Sequence, residues 1–556
     1  MNIDPKIGQT RLDHGTAWQR GSAAVVFVGA ALRLLQVLGN PSLWADEIRV
    51  ALNVIERSVS ELLTVGLDYG QVAPTGWLLL TKAAVLAFGE GELALRLVPF
   101  AASVLGLVLF WRLAEDLLEP AGAFLATAAF ALNPLLISLA STVKQYSVDV
   151  LATVIILIVF RSLSARTLSQ RRRVVLAAGA GALGFFSIPS AMVAAGALTA
   201  LLYPIYRGRV TESVQDGVAK AALSPLVLWG VVAGVAAVWT RAMVSPDILD
   251  YMDNFWGARG AFVPSLTSYP TWVLDRWSLL FDGFFMSPYM GQPGAIGSSV
   301  PTLAKAAMLI VALPLAILAL FRKGGVSWVL LMLLPVLLAF GLSALEIYPM
   351  APRTGVFMQP LLLLSVSAAV TFVARRTRVY GSLHVAGALI PAAILIDRPP
   401  TYVVQDVRGI FQELSIRRSA GEPVFVHHWS VPDIRYYGPR FDIGEPLVIG
   451  SEDIRDDLRA LHRLPRTPSV WILFTSAENH GVYLCYLDEI GEETDHLELV
   501  GAFPSGPVSL HQYRLDGPEE RASPEAVGFD AGWHADPSDA LPFSCRPHVS
   551  NARTIE

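Results

Sequence analysis

The chain has 556 residues, 53% of them hydrophobic and 16% charged, with a mean hydropathy of +0.49. A water-soluble globular protein carries about 25% charged residues, so this composition excludes both a soluble enzyme and a disordered chain. A net charge of −5 leaves no basic footprint for nucleic acid. Two cysteines, Cys485 and Cys545, are too few for a disulfide framework or a thiolate zinc site.

A spanning helix needs roughly 20 apolar residues. The first apolar run, residues 22–40, exceeds the length of a signal-peptide core and reads as an uncleaved helix. Further runs follow at 93–111, 121–138, 148–160, 174–186, 190–206, 221–240, 303–320, 327–342, 357–373 and 383–396, which predicts about eleven spanning helices. The pair around Ser187–Ser190 also fits one broken element. Basic residues in short loops fix the orientation. With the N-terminus in the cytoplasm, Arg161, Arg166 and Arg171 to Arg173 fall inside, as do Arg207, Arg209, Lys220, Arg322, Lys323, Arg375, Arg376 and Arg378. An odd count places everything after Ile396 outside, with two long outer loops at 41–92 and 241–302. The run from Tyr69 to Phe88 is apolar, but counting it as a span spoils this charge pattern. Its opening, Pro74-Thr-Gly-Trp77, predicts an interfacial helix with Trp77 at headgroup depth.

Composition changes at Asp397-Arg-Pro-Pro400. Beyond it, Val424-Phe-Val and Val470-Trp-Ile-Leu-Phe read as buried strands, and residues 508–515 alternate like a half-exposed one. Residues 405–416 and 451–464 have helical spacing. The domains expected are a transmembrane module, 1–397, a small extracytoplasmic α/β domain, 398–515, and a tail, 516–556, rich in Pro, Asp, Glu and Ser.

Charged residues gather at the expected outer face. Leu43-Trp-Ala-Asp-Glu47 sets two adjacent carboxylates just past the first span. They fit acids favoured by a helix N-terminus, and equally a general base, or a base and metal ligand, at a membrane-surface site. Lys144-Gln-Tyr-Ser-Val-Asp149 places an ammonium and a carboxylate at the lipid boundary, where charge is expensive unless paired or used. Glu346-Ile-Tyr-Pro-Met-Ala-Pro-Arg353 is a Pro-broken outer turn, whose guanidinium suits a phosphate oxyanion. Asp250 to Arg259 carries a second arginine in the large outer loop, and Arg33 lies inside the first span. His427-His428 sits in a strand, where a structural role is the usual one.

The order and spacing of these motifs resemble those of the GT-C superfamily of membrane glycosyltransferases. The nearest resemblance is to its polyprenyl-phosphate-sugar branch of protein O-mannosyltransferases and aminoarabinose transferases. It rests on Arg33, Leu43-Trp-Ala-Asp-Glu47, Pro74-Thr-Gly-Trp77, Glu92-Leu-Ala-Leu-Arg-Leu97, Asn133-Pro with Lys144-Gln-Tyr146, Asp253-Asn-Phe-Trp256, Tyr348-Pro with Arg353 and Pro360, and Tyr436-Tyr437. Two departures stand out. Val72-Ala73 precede Pro74, with Gln71 three residues back, where the branch often has a His, Gln or Lys directly before the proline. Lys144 stands where the branch more often has Arg.

The resemblance implies a GT-C-like polytopic α-helical protein in a membrane, the inner membrane if the source is bacterial, with its C-terminal domain outside. It implies an inverting glycosyltransferase moving a monosaccharide from a polyprenyl-phosphate carrier to an acceptor hydroxyl on a glycan, lipid or protein. Asp46 and Glu47 are the expected catalytic pair. Lys144, Gln145, Tyr146, Asp149, Arg259, Tyr348, Arg353 and Arg33 are the expected donor phosphate and sugar ligands. A divalent metal cation is a candidate cofactor, with Glu47 and Asp149 as its candidate ligands. The sugar is open among mannose, glucose, galacturonate, arabinose and aminoarabinose. The alternative class is a multi-pass lipid or sugar transporter, although charges at one face and the absence of a repeat argue against it.

Overall fold

The computed structural model describes residues 5–165, 168–210, 216–263, 265–281, 302–377, 379–397, 405–451, 469–475, 498–502 and 509–514. The chain divides into two compact units. The first is Met1–Pro41 with Arg49–Tyr402, and the second is Ser42–Ile48 with Val403–Glu556.

The first unit is helical. Its elements begin with α1 (Pro5–Leu38), α2 (Ala45–Glu56, whose first turn belongs to the second unit), α3 (Val59–Thr64), α4 (Thr75–Phe88) and α5 (Glu92–Leu117). They continue with α6 (Pro120–Ala131), α7 (Pro134–Ser138), α8 (Tyr146–Ser164), α9 (Gln170–Ala182), α10 (Ser190–Val210) and α11 (Asp216–Ala242). The series closes with α12 (Pro246–Ala258), α13 (Tyr269–Phe281), α14 (Thr302–Ala344), α15 (Gln359–Ala374) and α16 (Tyr380–Asp397).

Six of the described helical stretches are long and apolar enough to cross a membrane: Thr16–Leu38, Glu92–Leu117, Tyr146–Ser164, Leu223–Ala242, Ile310–Ala344 and Gly355–Ala374. The sequence predicts about eleven by the length criterion, and several of its runs have local features. The run 121–138 is split into α6 and α7 at Asn133-Pro134. Proline has no N–H to continue the helix, and the Asn133 side chain accepts the Leu136 N–H at 3.0 Å to start a new one. The runs 303–320 and 327–342 lie on either side of a break at Gly324-Gly325, which divides α14 into two helices, as expected. Gly325 has φ +67°, a conformation that costs a glycine little. The run 174–186 ends in a 3-10 turn, Leu183–Phe185, before α10.

Lipid tails are as apolar as leucine, so helices in a bilayer associate by close packing rather than by hydrophobic exclusion. Gly29 of α1 shows this: a Cβ there would lie 2.8 Å from the Ala131 carbonyl oxygen. Phe110 and Phe130 stack between α5 and α6, with ring centroids 4.4 Å apart. Trp77 is fully buried within the protein rather than facing outward. The start of α4 is enclosed instead: Trp239 Nε1 donates to Thr75 Oγ1 at 3.1 Å, and Gly76 meets Phe185 and Phe186.

The second unit is α/β. After α17 (Val407–Arg417) come β1 (Val424–Val426), α18 (Val431–Tyr437), β2 (Leu447–Ile449), β3 (Ser469–Phe474), β4 (Glu498–Ala502) and β5 (Ser509–Arg514). The strand order is β2-β1-β3-β5-β4. β1 runs parallel to β2 and β3, while β5 is antiparallel to β3 and β4. β1 and β3 are buried along their whole length, as expected for central strands covered on both faces. Val407, Ile410, Phe411 and Leu414 form the buried stripe of α17 at helical spacing. The helix expected at 451–464, the tail 516–556, Cys485 and Cys545 lie outside the described residues.

Candidate active site

The sequence-derived site residues fall in both units, and each group has its own local geometry. In the second unit, the Leu43–Glu47 motif forms the first turn of α2. Glu47 is the third helical residue. Its Oε2 accepts the Trp44 backbone N–H at 3.2 Å, and its own N–H donates to the Trp44 carbonyl at 2.8 Å. This is half of a capping box, with tryptophan in place of serine or threonine. The next amide, that of Ala45, donates to the Gln405 side-chain oxygen at 3.1 Å. The Leu43 amide donates to the Tyr437 hydroxyl at 3.0 Å, and the Arg408 amide donates to Ser42 Oγ at 2.8 Å. Glu47 is buried and Asp46 half-buried. Of the two adjacent carboxylates, Glu47 therefore caps its own helix. Gln405 has no local sequence signal, because it lies 360 residues from its partner.

In the first unit, the remaining candidates fall into three assemblies and one outlier. The first assembly is Lys144 and Gln71. Lys144 is buried, and its Nζ donates to Gln71 Oε1. Gln71, which departs from the expected residue pattern, is thus paired with the lysine that also departs from it.

The second assembly lies at the start of α8. Gln145 is the N-cap position, and Tyr146 and Asp149 fall in the first turn and are buried. Ser187 lies beside the Asp149 carboxylate, whose Oδ1 has no hydrogen-bond donor among the described residues. Tyr348 comes from the broken turn before the 3-10 segment Gly355–Met358. Its hydroxyl donates to the Thr354 carbonyl at 2.8 Å. Burial, with Asp149 and then Tyr146 nearby, pushes the Tyr348 phenol well above its ordinary pKa, so it stays a neutral donor.

The third assembly is built on α12. The Arg259 guanidinium lies 3.6 Å from the Phe255 ring centroid. The Arg353 guanidinium lies 5.8 Å from the same ring and 4.8 Å from Trp256. Two arginines separated by more than ninety positions on the chain thus share one aromatic pair in a cation–π arrangement.

The outlier is Arg33, expected as a phosphate ligand. It is fully buried. Its Nε donates to Ser103 Oγ at 2.9 Å, Nη1 to the Gly29 and Ala131 carbonyls at 2.9 and 2.8 Å, and Nη2 to the Phe130 carbonyl at 3.2 Å. Phe130 and Ala131 close α6, where carbonyls lack helical partners and attract a cation. Arg33 is thereby a helix cap, which corrects its expected role. Arg96, not expected in the site, does the same for loops. It donates to the Ser141 carbonyl at 2.8 Å, to Glu92 at 3.1 Å, and to Asn40 and Pro41.

Among the described residues no three His, Cys, Asp or Glu side chains gather as a metal site. Of the two candidate ligands, Glu47 caps α2 and Asp149 has Ser187 beside it.

No family model matches the sequence, and neither does any curated protein. The chain is similar to solved structures of ArnT from Cupriavidus metallidurans. The apo form is 14% identical, with TM-score 0.49, and covers 89% of this chain and 98% of its own. The form bound to undecaprenyl phosphate is also 14% identical, with the same coverage and TM-score 0.47. It is also similar to archaeal oligosaccharyltransferase AglB from Archaeoglobus fulgidus in complex with an inhibitory peptide and a dolichol-phosphate. That structure is 12% identical, with TM-score 0.44, over 84% of this chain and 71% of its own.

Proposed function

We propose that this protein is an inverting glycosyltransferase that uses a polyprenyl-phosphate monosaccharide as donor and works at the extracytoplasmic face of a membrane. The observation that carries the reading is the meeting of Arg259 and Arg353 on Phe255 and Trp256. Arg353 sits in a turn whose guanidinium suits a phosphate oxyanion, and Arg259 joins it among the donor ligands that the family resemblance implies.

In the proposed reaction the Asp46 carboxylate takes the proton from an acceptor hydroxyl. The freed oxygen attacks the anomeric carbon from the face opposite the phosphate. The bond between that carbon and the phosphate oxygen breaks, and the electron pair leaves with the polyprenyl phosphate. The growing negative charge needs cations placed in advance, a role given to Lys144, Arg259 and Arg353. Tyr348, Tyr146, Gln145 and Asp149 contact the sugar. Glu47 serves by capping the turn that carries Asp46. No step is routed through a metal. The apolar helices hold the prenyl tail, and the second unit helps select the acceptor.

The test is Asp46→Asn. Purified protein is incubated with polyprenyl phosphates carrying mannose, glucose, galacturonate, arabinose or aminoarabinose, and released polyprenyl phosphate is read by mass. Loss of a general base lowers turnover by about 10²- to 10⁴-fold; wild-type turnover in this variant rules the base out. A transporter is the second reading, favoured by the buried Asp149 carboxylate inside a spanning helix. It predicts no release of free polyprenyl phosphate from any donor.

A further inference from the structure

We infer that Gln405 and Tyr437 are positioning residues for Asp46, holding the helical turn that carries it. The inference rests on the reading of Asp46 as the base. Asp46 lies between Ala45, whose amide donates to Gln405 at 3.1 Å, and Glu47, whose carboxylate takes the Trp44 amide at 3.2 Å. Two residues upstream of Trp44, Ser42 accepts the Arg408 amide at 2.8 Å, and between them the Leu43 amide meets Tyr437 at 3.0 Å.

The first amides of a helix have no partner within it. Here one is taken by the helix's own glutamate and one by Gln405, a residue of the second unit just before α17. Both holders are themselves fixed. Gln405 is 4% exposed and Tyr437 1%. The Tyr437 ring packs against Phe411 at 5.6 Å and edge-on against Tyr436 at 4.9 Å. The arrangement sets the position of the α2 start to the accuracy of several hydrogen bonds rather than one.

That accuracy matters for proton transfer. A general base must lie within hydrogen-bond reach of the proton it abstracts, and a misplacement of about 1 Å can cost about 10²-fold in rate. The carboxyl-terminal domain, distant in sequence from the motif, then governs kcat without touching substrate.

Two variants of Gln405 separate this role from mere folding. Gln405→Met keeps the length of the side chain and removes the acceptor. Gln405→Glu keeps an acceptor and adds a negative charge, which a helix N-terminus tolerates. The full-length protein in nanodiscs is used. With Gln405→Met, amide hydrogen exchange at residues 43–47 rises about fivefold, the worth of one net hydrogen bond. Turnover with the sugar panel falls about tenfold, within the cost of a small misplacement, while the donor KM is unchanged. Gln405→Glu restores both readouts, and Tyr437→Phe raises exchange at Leu43.

Wild-type exchange and kcat in Gln405→Met overturn the inference. So does a loss that Gln405→Glu fails to rescue, accompanied by a lower thermal midpoint for the whole protein. If Asp46→Asn keeps wild-type turnover, the base assignment fails. If instead Asp46→Asn is inactive and exchange in Gln405→Met is unchanged, only the positioning role fails.

Discussion

Arg33 offers the sharpest separation between a structural and a ligand-binding arginine, because its position permits a quantitative expectation. Arg33→Met keeps an apolar stem of similar reach and removes every donor. Two carbonyls that close α6, those of Phe130 and Ala131, then lose their partner in a buried place. A buried polar group left unsatisfied costs about 1–3 kcal/mol, and relief from burying the guanidinium offsets part of that. Counted the other way, the four hydrogen bonds of Arg33 at the average of about 0.6 kcal/mol for side-chain bonds between membrane helices come to about 2–3 kcal/mol. The two routes agree on a loss of about 2–3 kcal/mol. Equilibrium unfolding in mixed micelles should show that loss, while the dissociation constant for undecaprenyl phosphate stays within about twofold, since a lipid head group bound elsewhere does not feel an internal cap. Arg33→Lys should fall between, because an ammonium cannot span Ser103 and the α6 carbonyls as a planar fork does. Unchanged stability together with a dissociation constant raised by a factor of ten or more would refute the cap and restore the phosphate ligand.

Lys144→Met should lower turnover by about 10²-fold, the scale of losing one stabilising group at a developing charge. Adding Gln71→Leu to it should cost little more, since the two side chains share one contact; losses that simply multiply would show that they act separately. In the second unit, burial and then the neighbouring His428 lower the His427 pKa to about 3, and burial lowers that of His511 to about 4. Unfolded, both titrate near about 6.5. Between these values the unfolded chain holds more protons, so stability rises with pH there and is lost as pH falls from about 6.5 towards 4. Intrinsic fluorescence of this unit, which contains Trp429 and Trp471, should report a falling denaturant midpoint over that range, with a shallower fall in His427→Gln. A midpoint independent of pH from 7 to 4 would contradict the buried neutral imidazoles.

The legible parts of this protein were those whose cause is local. Strands β1 and β3 announced themselves as short apolar runs, and they are buried throughout. The acids of the Leu43–Glu47 motif sit in the first turn of a helix, as the dipole favours. At Asn133-Pro134 a run read as one span is split into two helices, because one or two residues decide there, and a hydropathy run does not register a new N-cap. Within the site, the partners of Gln405, Tyr437 and Gln71 stayed invisible because each lies 73 to 394 positions away, and no periodicity encodes such a pairing.

The arginines carry this point furthest, because one residue type serves three ends. Arg33 and Arg96 are fully buried and spend their donors on carbonyls or side chains of the protein. Arg353 is nearly as buried, yet its charge faces the rings of Phe255 and Trp256. Arg259 is exposed and stacks on Phe255. An aromatic face stabilises a cation, and Arg259 Nη1 also donates to the Phe255 carbonyl at 3.0 Å, whereas at the end of α6 a guanidinium spends its N–H groups on carbonyls. Sequence position near the outer face treats all four alike. What the structure adds is the aromatic pair, Phe255 and Trp256, beneath the two arginines assigned to the phosphate.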